Sequence, residues 1–166
     1  MARETGPITD YRDVAVAVVK IEVKKDQAVR ITYRFSNDTA EPVFFLDRNP
    51  DVVFEDDSGE ILTFRHSLAQ EPPPFMGFPN QKFFLVKPGE ARHKTYTLRH
   101  PGVVLCDGTR VRAGFGWGNC VDSVKSAQGR TGYQQIVQWQ TLVESDPVTY
   151  HASNLPPALV GSHPGV

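Results

Sequence analysis

Residues 29–35 read Val29-Arg30-Ile31-Thr32-Tyr33-Arg34-Phe35. Apolar or aromatic side chains alternate with polar ones at a period of two, which puts one set on each face of a β-strand. At 3.6 residues per turn the same side chains would scatter around a helix and leave no apolar stripe. A strand with one buried face needs partners, and its neighbours in sequence supply the first. Residues 14–23 begin as Val and Ala in alternation and settle into Val19, Ile21 and Val23 against Lys20, Glu22 and Lys24. The doublet Val18-Val19 breaks that rhythm and predicts a β-bulge. Lys24-Lys25-Asp26-Gln27 makes the turn between the two strands.

Toward the C-terminus the same signals recur. Asn37-Asp38-Thr39-Ala40-Glu41-Pro42 is a turn, because Asn and Asp bond their own backbone and Pro fixes φ. Short strands are expected at 43–46, 52–55 and 61–64, the last two joined by the acidic hairpin Asp56-Asp57-Ser58-Gly59-Glu60. Pro72-Pro73-Pro74 and Pro79 make 66–80 a surface excursion. Strands return at 83–86 and 91–98, around Lys87-Pro88-Gly89-Glu90, which suits a type II turn. Residues 110–117 put Val111, Ala113, Phe115 and Trp117 on one face and Gly114 and Gly116 on the other. That bare face predicts a bulge, a ligand or the close approach of another backbone. Residues 133–143 alternate again and read as a final strand, and no long amphipathic helix is expected.

Composition agrees with this reading. The 166 residues are 40% hydrophobic, and 25 valines and isoleucines outnumber 11 leucines and methionines, the stiff side chains that suit strands. The fold expected is all-β: a two-sheet antiparallel β-sandwich of immunoglobulin-like type, with a closed β-barrel as the alternative. An N-terminal arm at 1–12, one domain at 13–151 and a C-terminal tail at 152–166 complete the organisation. With 18 basic and 19 acidic residues the chain has no excess of cations for nucleic acid, and no apolar run is long enough to insert in a membrane. Residues 1–7 lack the basic and apolar pattern of a signal peptide, so a cytoplasmic location is expected, a secreted mature fragment being the alternative. Cys106 and Cys120 are then two thiols, or one loop-closing disulfide in an oxidising compartment.

The order of features from Val29 to Trp117 resembles the small bacterial domains related to the intracellular proteinase inhibitor of Bacillus. The likeness rests on Asn37, Glu41, Pro42, Gly59, Lys87, Pro88 and Gly89, on the run LVKPGEARHKTYTL and on the Gly108, Val111, Arg112, Ala113 strand. It implies a non-catalytic immunoglobulin-like domain that binds another protein through loops, and it assigns no inhibitory residue.

Templates for chemistry find little purchase. Asp47, Asn49 and Asp51 open like a calcium loop, but Val52 stands where that loop needs Gly, so the segment reads as a turn capped by its own side chains. His66, His93, His100, His151 and His163 lack metal-finger or H-E-x-x-H spacing, and no G-x-S-x-G occurs. Cys120 with His100 or His151 is the remaining thiol pairing. No catalytic residue, metal ligand or cofactor is assigned, which points away from an enzyme. What remains is recognition of a protein partner or of a second copy. Phe75, Met76 and Phe78 are candidates, either folded over one end of the sandwich or exposed as a patch. Trp117 and Trp139 join them, with an edge strand able to pair with a partner. The expected function is a non-enzymatic protein-binding or assembly module. The alternatives are a small metal-dependent or thiol enzyme, with residues converging from several strands, and a structural subunit of a homo-oligomer.

Overall fold

The computed structural model describes residues 13–54, 61–70 and 78–152. In chain order the strands are β1 (Val14–Val23), β2 (Val29–Asn37), β3 (Val43–Asp47), β4 (Asp51–Phe54), β5 (Ile61–Arg65), β6 (Lys82–Val86), β7 (Ala91–Leu98) and β8 (Arg110–Gly118). Helix α1 (Gly129–Trp139), β9 (Thr141–Glu144) and β10 (Val148–Thr149) follow. The strands form two sheets: β1-β2-β7, and β4-β5-β8-β3-β6 with β9 and β10 also on β8. The arm, the 55–60 hairpin tip, residues 71–77 and the tail beyond Ala152 lie outside the described residues.

β2 is the centre of the first sheet, as its alternation predicts. Val29, Ile31, Tyr33 and Phe35 are all buried. The ring of Phe35 lies within 4.9 Å of those of Phe45, Phe84 and Phe115, all on the facing sheet. Burying one such side chain stabilises the fold by about 2–3 kcal/mol, so this aromatic knot is a large share of the contact between the sheets. The bulge expected in β1 is present, the register with β2 shifting between Val18 and Lys20. The type II turn is present too. Gly89 takes φ +78°, open to glycine at little cost, and the Glu90 amide donates to the Lys87 carbonyl at 2.9 Å.

Three expectations are corrected. First, the second sheet is not wholly antiparallel, because β5 runs parallel to β8. The long connection between them, which holds β6 and β7, leaves room for such a crossover. Second, the sheets do not close into a barrel: the first ends at β1 and at β7. Third, residues 133–143 are not one strand; the two-sheet β fold carries one short helix there. Helix α1 occupies the first part and β9 the second. Gly132, Tyr133 and Ile136 are buried and Val137 is half-buried, a helical spacing that coexists with the strand-like alternation in the same letters.

Tertiary packing decides between them. Outside the main core, Leu46, Leu68, Val124, Ala127, Tyr133 and Ile136 form a second apolar cluster. It covers the outer face of the second sheet with α1 and the 119–128 segment. The glycines of β8 make the cover possible. A Cβ on Gly118 would stand 2.5 Å from the Trp139 ring, and one on Gly116 would run into the Gln140 side chain. The bare face foreseen from Gly114 and Gly116 is thus filled by side chains that follow the helix, not by another backbone.

Gly118→Ala should therefore cost roughly 1–3 kcal/mol through overpacking and displace the Trp139 indole. Gly114→Ala, whose added carbon would meet its nearest neighbour at 3.8 Å, should cost well under half as much. Urea melts followed by tryptophan fluorescence measure both, and equal costs would contradict the packing described.

Candidate functional site

The polar feature that links both sheets to the helix layer is the segment 66–69. β5 places Leu62 and Phe64 in the core, and the same two-residue step carries His66 inward to 0% exposure. The His66 amide donates to the Gly114 carbonyl at 2.7 Å, extending the β5–β8 ladder by one residue. β3 meets the same strand farther on, at Trp117 and Gly118, so the ends of β3 and β5 converge beside Phe115. There the imidazole lies flat on the Phe115 ring, with centroids 4.1 Å apart.

Both ring nitrogens are committed. Nδ1 lies 2.7 Å from the Arg48 carbonyl, which can only accept, so Nδ1 carries the proton and donates it. Nε2 is then the acceptor for the Tyr33 hydroxyl at 2.8 Å, a bond that crosses from one sheet to the other. Burial pulls the His66 pKa down to about 3, a direction the neighbouring Arg48 charge reinforces. Burial likewise pushes the Tyr33 phenol well up. At neutral pH this pair moves no protons; it ties the sheets together.

A second cross-sheet tie lies beside it. Asp47 accepts from Tyr96 and from Lys94, each at 2.8 Å. Burial alone would raise its carboxyl, but these two bonds and the charges of Lys94 and Lys82 hold it below the usual range. Asp47 thus serves the inter-sheet contact, and Asp51 lies 3.7 Å from both Arg48 and Arg65, so these carboxylates are engaged by cations and Tyr96 and not, as expected from sequence, in capping a turn. The backbone of 66–69 then reaches the helix layer. The Gln140 amide brackets Leu68, accepting from its N–H at 3.1 Å and donating to its carbonyl at 2.8 Å. Tyr133 donates to the Ala69 carbonyl at 2.9 Å.

The candidates for recognition are dispersed. Trp117 is 1% exposed in the main core, so it is a core residue and not a binding one. Phe78 is half-buried, its ring 5.0 Å from that of Tyr133, so this end of the excursion folds onto the second cluster. Trp139 is half-buried against Phe83, and its indole N–H donates to the Cys120 carbonyl at 2.6 Å. Phe75 and Met76 lie outside the described residues. Cys106 and Cys120 are both free and exposed. No group of three or more His, Cys, Asp or Glu gathers among the described residues. No described helix is long and apolar enough to cross a membrane.

The sandwich's two open flanks differ. Between β6 and β7, Arg92 donates to the Leu85 carbonyl at 2.9 Å, and Lys94 and Arg92 stand over the Phe84 ring. Between β1 and β10 lies a groove of about 210 Å³, lined by Val18, Val19, Lys20, Ile21, Val148, Thr149 and Tyr150. Here the bulge leaves Val19 48% exposed. Among the described residues the final strands, β9 and β10, pair only with β8, so they form an edge there. Sequence reading missed His66 and Tyr33 as a pair. The signal was present, since Leu62, Phe64 and His66 continue one alternation into what reads as a loop.

No protein-family model, curated protein or solved structure matches the chain.

The unfolded imidazole titrates near 6.5 and the folded one near 3, so the unfolded chain takes up the proton first. Stability is therefore full above about pH 6.5 and falls as pH drops toward about 3, with Asp47 adding in the same direction at the acid end. Between pH ~7 and pH ~4.5 the His66 contribution should remove about 2–3 kcal/mol. Denaturant melts across that range test it, and His66→Phe should be less stable but flatter with pH.

Proposed function

We propose that this protein is a non-enzymatic binding module that engages a protein partner along the β1 and β9–β10 flank. The asymmetry between the flanks carries the reading. At the β6–β7 side charged side chains cap the edge backbone and bridge the sheets, a device that discourages strand pairing. At the other side a groove of mixed lining, its valines and isoleucine interspersed with Lys20, Thr149 and Tyr150, lies beside two edges, with a half-exposed valine at its rim. An extended segment bearing one apolar side chain suits this arrangement, by strand addition to an edge with the side chain seated in the groove. The loop half of the interface, Phe75 and Met76, stays in the proposal as the neighbour of Phe78.

The sandwich is read as a variant of the immunoglobulin type, related to the Bacillus proteinase-inhibitor domains. Strand order supports it: β1, β2 and β7 lie together as the A, B and E strands do, and β3, β8 and β9 as C, F and G. The β4–β5 hairpin is an addition to that plan. A reducing compartment, the bacterial cytoplasm, accords with two free exposed thiols.

Val19→Asp is the test. Val19 is half exposed, so the charge should leave the melting temperature within a few degrees of wild type. Partners recovered from a cell extract by the full chain, or self-association seen by sedimentation as concentration rises, should fall at least about tenfold. Unchanged association in Val19→Asp would overturn the reading, as would stoichiometric bound metal on elemental analysis.

A further inference from the structure

Among the described residues the outer face of the first sheet has no element packed over it, and it is basic. Pairing registers place its side chains in rows across three strands: Ala15, Ser36 and Ala91; Ala17, Arg34 and His93; Lys20, Thr32 and Thr95; Glu22, Arg30 and Thr97. Alanine, serine and threonine form the floor, and the Thr32 and Thr95 hydroxyls bond each other at 2.9 Å. Among the described residues the one exposed large apolar side chain beside it is Val19, in the bulge of the β1 edge, whereas the outer face of the second sheet is buried under α1.

Charge on this face is unbalanced. Glu22 is its one acid, and it lies 3.5 Å from Lys20 and 3.9 Å from Arg30. Arg34 has no ion pair among the described residues and stands exposed between Ala17 and His93. The chain as a whole carries net charge −1, so the cations of this face are matched by an excess of acids elsewhere in the sequence. Such separation orients the molecule toward an anionic surface. The small floor lets a guanidinium meet a carboxylate with two parallel bonds, a geometry a crowded face would block.

From this placement we propose that the outer face of the first sheet docks an acidic segment of a protein partner, with Arg34 as its central contact. A peptide of glutamates and aspartates fits better than nucleic acid. Among the described residues the face offers no Phe, Tyr or Trp on which a base could stack, and too few cations to track a phosphate backbone. This docking surface meets the β1 and β9–β10 groove at Lys20, but its central contact, Arg34, is not in the groove lining.

The probe is a fluorescein-labelled oligoglutamate, titrated into the isotope-labelled full chain. Expected are amide shifts confined to Thr32, Arg34, His93, Thr95 and their neighbours, with binding lost as salt rises from about 0.05 M to about 0.5 M. Arg34→Glu should weaken binding about tenfold or more without changing the melting temperature. Lys125→Glu, 64% exposed in the segment beside α1, should change nothing. Shifts spread evenly over every surface cation would overturn the proposal. So would tighter binding of oligothymidylate than of oligoglutamate at the same face, or salt-dependent self-association that Arg34→Glu abolishes. Val19→Ser, which removes the apolar side chain of the flank without adding an acid beside Lys20, should bind oligoglutamate like wild type, so loss of flank binding and loss of face binding are told apart.

Discussion

The neutral imidazole of His66 is the contact on which the rest of this structure depends. A fully buried ring with two polar nitrogens is tolerated only if both find partners, because each unpaired one would cost about 1–3 kcal/mol. Tyr33 on the facing sheet satisfies one, and the Arg48 carbonyl where β3 ends satisfies the other. These two bonds set the spacing between the sheets and hold β3 and β5 end to end along β8. From the same point the chain runs to Leu68 and Ala69, whose backbone groups receive Gln140 and Tyr133. One short segment thus joins the first sheet, the second sheet and the helix layer.

Because the polar ties lie on β2, β3, β6 and β7, the two sides of the sandwich are closed by different forces. The β6–β7 side is held by directional bonds and charges, which also shield its edge strands. The β1 and β9–β10 side relies on apolar packing, and the bulge at Val18 and Val19 keeps it from closing flush. A surface held by packing alone is easier to reshape than one held by a buried carboxylate and an ammonium. This places the groove and the tied corner on opposite sides of the core. The outer faces divide in the same way, one buried under helix and indole, the other left bare and positively charged.

Much of the strand framework was legible in the letters. Period-two alternation located β1, β2, β7 and β8, the Val doublet located the bulge, and Pro-Gly located the turn before β7. The helix was not, since Tyr133, Ile136 and Val137 satisfy a helical stripe while Tyr133, Gln135, Val137 and Trp139 satisfy an alternation. In so short a segment the two periods cannot be separated without knowing what covers it. The alternation of β8 turned Trp117 inward, against its reading as a recognition candidate, whereas the place of Trp139 depended on a glycine ridge distant in sequence. His66 looked like the first residue of a proline-rich excursion, although it closed the inward series of β5.

By itself, then, the sequence determined the strands, their inward faces and most turns, because these depend on side-chain period and on the φ preferences of a few residues. Tertiary structure alone decided that β5 runs parallel to β8, that 129–139 coils into a helix, and that a histidine becomes the bond between two sheets. Each of these depends on a partner far along the chain: the free edge of β8, the bare glycine face beneath Trp139 and Gln140, and the hydroxyl of Tyr33. Local propensity carries no information about such partners, and burial of the remaining apolar and polar groups selects among the local options.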